Sequence, residues 1–464
     1  VNDSESARRL PDGFSVRLRA DVRRPSPGVL LGGAPLRVLR LRDAALRLFV
    51  GDEFVVRDAL TDRLAARLLD ANVADPVITG PPANARDVTV VIPVRDRPEQ
   101  LARALAPLSG LRCIVVDDAS VDSAAIAEVS AQYGASVVAL DCNLGPAGAR
   151  NAGLAQVTTP YVAFVDSDVV VESDALLRLC RHFVDPRAAL VGPLVQARSL
   201  SASPRWFERY DATASSLSRG NAGGSVQPGT ALGWLPSACL VGRVGVLADF
   251  SFAADMHVGE DVDLVWRLID AGHVVRYDPS ESAEHDTRGT VGGWLGRNFA
   301  YGTSAADLAA RHGGKGAPAV MSVSMAIAAA AVLLRRRWSL PLAAVGAAAS
   351  GRRILPQLPV VPERWSLTAR LVARGLGWAM RQQSGLLLRH WWPLAVVGAL
   401  TSTSLRRMIF SAVVIDYLVW KAEHRKAPYS PVARRLDDLA YGAGLWRGAL
   451  RRRSITSLLP RTPR

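Results

Sequence analysis

Residues 163–170 read AFVDSDVV, an apolar run that ends in Asp166 and Asp168 with one serine between them. A strand carrying such a run belongs inside a sheet. Two carboxylates in one small volume raise each other's pKa and cost stability unless something positive meets them. An isolated Asp-x-Asp is commonly a turn closed by an Asx hydrogen bond, so its surroundings decide the reading. Three apolar runs precede it, DVTVVIP from Asp87, CIVVDDAS from Cys113 and ASVVALD from Ala135, with helical patterns between them. Short apolar runs separated by roughly 20–30 residues of helix and loop specify an α/β fold with a mostly parallel, Rossmann-like sheet covered on both faces.

Such sheets bind ligands beyond the carboxyl ends of their strands. Beyond the first run stand Pro93, Arg95 and Asp96, beyond the second Asp117 and Asp118, and beyond the last Asp166 and Asp168. Carboxylates crowded on one rim call for a cation. Hard oxygen donors suit Mg²⁺ or Mn²⁺, whose remaining positions go to substrate phosphates.

Three further stretches supply chemistry. NLGPAGARNAGL (143–154) combines Gly145, Gly148 and Gly153, which permit close backbone approach, with Arg150 as a fork-shaped donor near a helix start; this composition favours a diphosphate or its sugar. VGEDVDLVWRLIDAGH (258–273) places Glu260, Asp261 and Asp263 at the start of a helix whose apolar face carries Leu264, Leu268 and Ile269. Helix electrostatics accounts comfortably for one such acid, and a carboxylate there is poised as a general base beside a bound sugar. SESAEHDTRG, after the strand-like HVVRYDPS, offers His285, Asp286 and Arg288, with His285 a candidate third metal ligand.

The chain is 464 residues, 49% hydrophobic and net +14, enough for more than one domain. Residues 317–464 hold 23 of the 56 Lys and Arg but 5 of the 42 Asp and Glu, so that region is net +18 and the rest net −4. The excess sits beside apolar runs, and no nucleic-acid module is recognisable; an anionic membrane surface is the expected partner. Cys113, Cys142, Cys180 and Cys239 form no CxxC pair, which points to neither a zinc site nor a disulfide framework and to a reducing compartment. The opening VNDSESARRLPDGF has no apolar stretch suited to a secretory signal. The expected location is therefore the cytoplasmic face of the cell membrane.

Composition divides the chain into residues 1–84, 85–316 and 317–464, with DPVITGPPANARD (75–87) as a linker. In the first block FSVRL and VLLGG suggest strands, and DALTDRLAARLLDANV has Leu60, Leu64, Ala65, Leu68 and Leu69 at helical spacing. A small winged-helix-like, peptide-recognition-like module fits that order. The last block opens with an uncharged run between Lys315 and Arg335, just long enough to span a bilayer as a helix. HWWPLAVVGALTSTSL and MIFSAVVIDYLVW are shorter and interrupted by Pro393 and Asp416, as interfacial or re-entrant helices are.

In their order, VVIPVRDRP, VVDDAS, GPAGARNAG, FVDSD and GEDVDLVWRL resemble the motifs of the inverting family 2 glycosyltransferases, enzymes of the GT-A fold, over about 180 residues. With LPDGFSVRL, LLGGAPLRVLRL, HDTRGTVGGWLGRNFAYGTSAADLAARH and the basic tail, nearly the whole chain is similar to the glycosyltransferases of mycofactocin systems. The resemblance implies a metal-dependent enzyme that moves glucose, β-linked, from a nucleotide-sugar donor such as UDP-glucose to a peptide-derived redox cofactor precursor, premycofactocin, with several sugars added in succession. It assigns Pro93, Arg95 and Asp117 to the nucleotide base and ribose, and Arg150 to the donor side. Asp166 goes to the ribose or metal, Asp168 to the metal, and His285 is an additional ligand. Asp261 matches the catalytic base, with Glu260 beside it. VLADFSFAADM replaces the family's glycine-rich stretch before the acidic pair, and the QxxRW motif of processive relatives is missing, which argues against a cellulose-synthase type channel. Two other readings compete: transfer to a polyprenyl phosphate or another lipid, and an inactive GT-A scaffold that recruits a peptide through residues 1–84.

Overall fold

The computed structural model describes residues 8–424 and 428–463; the first seven residues of the stretch read for a leader lie outside them. All four apolar runs are strands: Val88–Val94, Arg112–Asp117, Ser136–Ala139 and Tyr161–Val165. Val88, Val90, Val91, Ile92, Val162, Ala163 and Phe164 are wholly buried, as expected of strands covered on both faces. Helices Pro98–Leu105, Ser123–Gln132 and Gly145–Leu154 connect them.

The sheet is mixed where a mostly parallel one is expected. Tyr161–Val165 pairs parallel to Val88–Val94, which pairs parallel to Arg112–Asp117 and so on to Ser136–Ala139. On its other side Tyr161–Val165 pairs antiparallel with Cys239–Arg243. That strand joins a second parallel pair, Ala188–Arg198 with Val274–Asp286. The reversal follows from CLVGR, five residues too short and too far along the chain to announce a direction. Val169–Val170, directly after the Asp-x-Asp, adds antiparallel to Val274–Asp286 with Val169 opposite His285.

Residues Val1–Arg23, Leu30–Pro204 and Ala214–Thr287 form one compact unit. Its N-terminal part is a three-stranded antiparallel sheet of Glu53–Val55, Ser15–Leu18 and Ala74–Val77, with the helix Ala59–Asp70. Asp58 caps that helix reciprocally with Thr61. Leu10, Phe14, Val16, Phe54, Leu68 and Leu69 make its core. Leu60 departs from the expected apolar face and is exposed, because Thr61, Ala65 and Leu68 define the side that packs. The linker also starts later than its composition indicates, since Asp75 and Pro76 belong to an edge strand, where a proline is tolerated.

In the second unit, Arg24–Val29, Arg205–Thr213 and Arg288–Arg464, the described residues beyond Arg288 are mostly helical. Val291–His312 and Pro431–Arg452 pack closely through glycines; a Cβ on Gly302 would lie 2.1 Å from the Tyr441 carbonyl oxygen, and one on Gly444 1.9 Å from that of Phe299. Buried Asp437 accepts from Tyr210, Asn298 and Arg389. Asp416 is paired with Arg434 and Arg435. The expected spanning run is a helix only over Val323–Leu334, capped by Ser322 and stopped by Arg335 in the left-handed region. Twelve residues reach about 18 Å. Among the described residues no helix is long and apolar enough to cross a membrane.

Helix Gly145–Leu154 comes close against the sheet at Gly153. A Cβ on Gly153 would meet Val91 Cγ1 at 2.3 Å and Val116 Cγ2 at 2.9 Å, and these branched side chains sit in a close-packed layer. Gly153→Val is expected to lower unfolding free energy by about 2–3 kcal/mol, measured by denaturant titration.

Candidate active site

The parallel pairing puts the acidic strand ends on one rim. Val94 lies opposite Asp117, and Asp166 continues the strand that runs beside Val88–Val94. Pro93 is half-buried at the end of its strand, while Arg95 and Asp96 are exposed beyond it. Asp96, at φ +55°, ties two loops together: its amide donates to Ser120 Oγ, and its carboxylate accepts from the Val121 amide at 2.7 Å.

Asp117 is buried. Burial works against its charge, but hydrogen bonds from the Ser120 and Ser123 hydroxyls and the Ser120 amide hold it below the usual carboxylate range. Its neighbour Asp118 has a structural task, accepting from the Leu144 and Gly145 amides at 2.6 and 2.9 Å where the next helix begins. The two adjacent aspartates thus divide into one carboxylate that closes its own loop and one that anchors the helix carrying Arg150.

Arg150 is buried and spans two elements: one guanidinium nitrogen donates to Asp166 at 2.5 Å and another to Glu260 at 2.9 Å. Burial opposes its charge, yet the two carboxylates more than compensate and raise its pKa. Gly259, at φ +85°, precedes the helix Glu260–Asp270 and allows the turn into it. Glu260 is thereby drawn inward and Asp261 is left partly buried. Asp261 accepts from the Val262 amide at 2.8 Å and the Ser237 amide at 3.2 Å. Burial, then the charge of Glu260, pushes its pKa up to about 7, against the pull of those two amides and Arg150. The next residue, Ala238, accepts from the Asp166 amide, so residues 237–238 link the Asp-x-Asp turn to Asp261. Asp263, the third acid, is buried and pairs with Arg267 at 2.7 Å.

Asp168 is buried beside two basic side chains. Arg97 donates to Oδ2 at 2.9 Å, and His285 Nε2 stands 3.7 Å from Oδ1. The antiparallel register of Val169 with His285 produces this neighbour, reinforced by the Asp286 amide donating to the Asp168 carbonyl. A single cation about 2.1 Å from each donor can reach both across the 3.7 Å gap, and adjacent octahedral positions would require the two side chains to close to about 3 Å. Among the described residues no three His, Cys, Asp or Glu side chains gather to hold one by themselves; an ion there would take its other ligands from substrate phosphates and water.

Arg97 and the Arg103–Asp286 pair at 2.7 Å escape the sequence reading. Arg97 stands in the quoted VVIPVRDRP, two residues past Arg95; only the turn between them, with Asp96 at positive φ, sends Arg97 toward Asp168.

The Arg150 bridge is open to test. Arg150→Met strands two carboxylates and is expected to cost about 3–5 kcal/mol in denaturant unfolding.

The glycosyl transferase family 2 model matches residues 89–231, and the glycosyl transferase family group 2 model matches residues 161–420. The pre-mycofactocin glycosyltransferase of Mycobacterium tuberculosis is 41% identical over 468 residues, covering 98% of this chain and 99% of the relative. The succinoglycan biosynthesis protein ExoO of Rhizobium meliloti is 34% identical over 21% of this chain and 31% of its own length. Among solved structures, a Pyrobaculum calidifontis mannosyltransferase in complex with GDP-Man and Mn²⁺ is 17% identical, with 75% of this chain and 91% of that chain covered at a TM-score of 0.39. With acidic strand ends gathered on one rim and the identity to a curated relative running end to end, the chain belongs to the family 2 glycosyltransferases, in the family of the pre-mycofactocin glycosyltransferases.

Proposed function

We propose that the chain transfers a sugar, with inversion, from a nucleotide-sugar donor to pre-mycofactocin. Glucose from UDP-glucose, joined in β linkage and added more than once, is the specific reaction inferred. The observation that carries the mechanism is the place of Asp261, a partly buried carboxylate held by the Ser237 and Val262 amides beside the Asp166–Arg150–Glu260 bridge, where burial and the charge of Glu260 push its pKa up to about 7. A base with that pKa is matched to neutral pH, since about half of it is deprotonated there and the deprotonated form accepts a proton readily.

Asp261 takes the proton of an acceptor hydroxyl while the oxygen attacks the anomeric carbon. The bond from that carbon to the diphosphate breaks, and its electron pair leaves with the nucleoside diphosphate. Inversion follows from a single displacement in which no enzyme nucleophile intervenes. Glu260, held by Arg150, is a positioning residue that fixes the helix start and, by its charge, keeps Asp261 basic. Asp117, Pro93 and Arg95 are assigned to the nucleoside, and Arg150 to the donor side. Asp168 and His285, with Asp166 nearby, would hold Mg²⁺ or Mn²⁺; when bound, the ion supplies neutralisation of the diphosphate charge.

Mass spectrometry of the full chain incubated with pre-mycofactocin and UDP-glucose should show hexose addition, and no transfer from any nucleotide sugar would overturn the reading. Turnover should rise with pH through about 7 as Asp261 loses its proton. Asp261→Asn should flatten that limb and lower kcat by about 10²–10⁴-fold with donor KM little changed. Asp168→Asn or His285→Ala should raise the Mn²⁺ concentration for half-maximal activity by about tenfold or more.

A further inference from the structure

Three helices between residues 339 and 423 turn stripes of large apolar side chains outward. In the helix Thr403–Glu423, Phe410, Val413, Val414, Tyr417 and Leu418 follow the i, i+3, i+4, i+7, i+8 spacing that ordinarily marks a core-facing stripe. All five are exposed, Phe410 and Leu418 to 58%, while the buried positions of the same helix are Ser411, Ala412 and Trp420. Ser339–Ile354 repeats the inversion, burying Ser339, Ala343, Gly346 and Ser350 and exposing Leu340, Leu342 and Val345. In Trp392–Thr401 only Ala395 is buried, whereas Leu394, Val396, Val397 and Leu400 are exposed.

Small residues face neighbouring helices here. A Cβ on Gly346 would stand 2.7 Å from the Ser324 carbonyl oxygen, and the Ser324 and Ser350 hydroxyls meet at 2.8 Å. Small side chains between helices and large aliphatic ones outside is the packing of helices whose outer faces meet lipid. Isolated exposed leucines need no explanation, but stripes repeated on three helices exceed what a soluble surface carries.

The charge complements that surface. Residues 317–424 contain 13 Lys and Arg against 3 Asp and Glu, and Arg335, Arg337, Arg352, Arg353, Arg406 and Arg407 include the helix-end groups. Arg335 lies over the exposed ring of Phe410 at 4.8 Å, and Arg381 over that of Trp378 at 5.2 Å. Arginine beside an outward aromatic puts cations at the level of headgroups when the ring enters the acyl boundary.

We propose that these helices dock the protein on an anionic lipid bilayer, lying in the interface without crossing it. A second copy fits poorly, because the same excess of arginine would face itself. Crossing is disfavoured by helices that are too short or too charged. The inference is independent of the transferase chemistry.

Flotation of the full chain tests it, with vesicles of equal parts phosphatidylcholine and phosphatidylglycerol and with phosphatidylcholine alone. The chain should float with the anionic vesicles and bind the neutral ones about tenfold less or weaker, with salt lowering the anionic binding. Leu400→Asp combined with Phe410→Asp should reduce anionic-vesicle binding by about a hundredfold, with the melting temperature unchanged. Arg352→Gln combined with Arg353→Gln should reduce it by about tenfold while leaving the apolar faces intact. Failure to float, equal binding to both vesicles, or undiminished flotation of both variants would overturn the proposal. So would a dimer, seen by light scattering, that the Leu400→Asp/Phe410→Asp variant disperses, since the face would then belong to a second copy.

Discussion

A buried arginine shared by two carboxylates holds the site together. Arg150 reaches Asp166 on the turn after one strand and Glu260 at the start of a helix 110 residues later. Without it, buried Glu260 and half-buried Asp166 would lose their cationic partner, and the buried acid alone would cost about 3–5 kcal/mol of a domain's net stability. With it, Asp166 and Glu260 become fixed points, and the groups beside them inherit defined environments. Asp261 gains a raised pKa from burial and from Glu260. Asp118 supports the arrangement from behind by anchoring the helix that carries Arg150.

The second constraint is one of register. Two residues after the Asp-x-Asp, Val169–Val170, pair antiparallel with the far end of Val274–Asp286 and set His285 beside Asp168. A slip of one position would turn His285 to the other face of the sheet. The separation of one potential ligand pair therefore rests on a two-residue strand, reinforced by the Asp286 amide and by the Arg103–Asp286 pair.

Much of this was legible in the chain. The four apolar runs ending in polar residues fall on strands, three of them buried because a doubly covered parallel strand must be apolar throughout, and the fourth, Ser136–Ala139, an exposed edge strand. Glu260, Asp261 and Asp263 open a helix whose Leu264 and Leu268 are buried as expected. What remained hidden depends on long-range partners. The antiparallel strand Cys239–Arg243 reverses the sheet without a local signal. Arg97 finds Asp168 only through a positive-φ turn. In the helical region, periodicity reveals an apolar stripe but not whether it faces a neighbour or the outside: Leu60 and the Phe410–Leu418 stripe both follow helical spacing and both are exposed. The uncharged run before Arg335 is interrupted by a loop and a serine cap, which composition alone does not separate from a longer helix.

The proposed function requires that carboxylates far apart in sequence serve one donor site. Anomalous diffraction from a crystal grown with Mn²⁺ and a nucleoside diphosphate tests it most directly. The account predicts a manganese peak within bonding distance of both the Asp168 carboxylate and the His285 imidazole, with the diphosphate on the Arg150 side of that rim. A peak elsewhere on the protein, or a nucleotide bound away from Asp117 and Asp168, would contradict it.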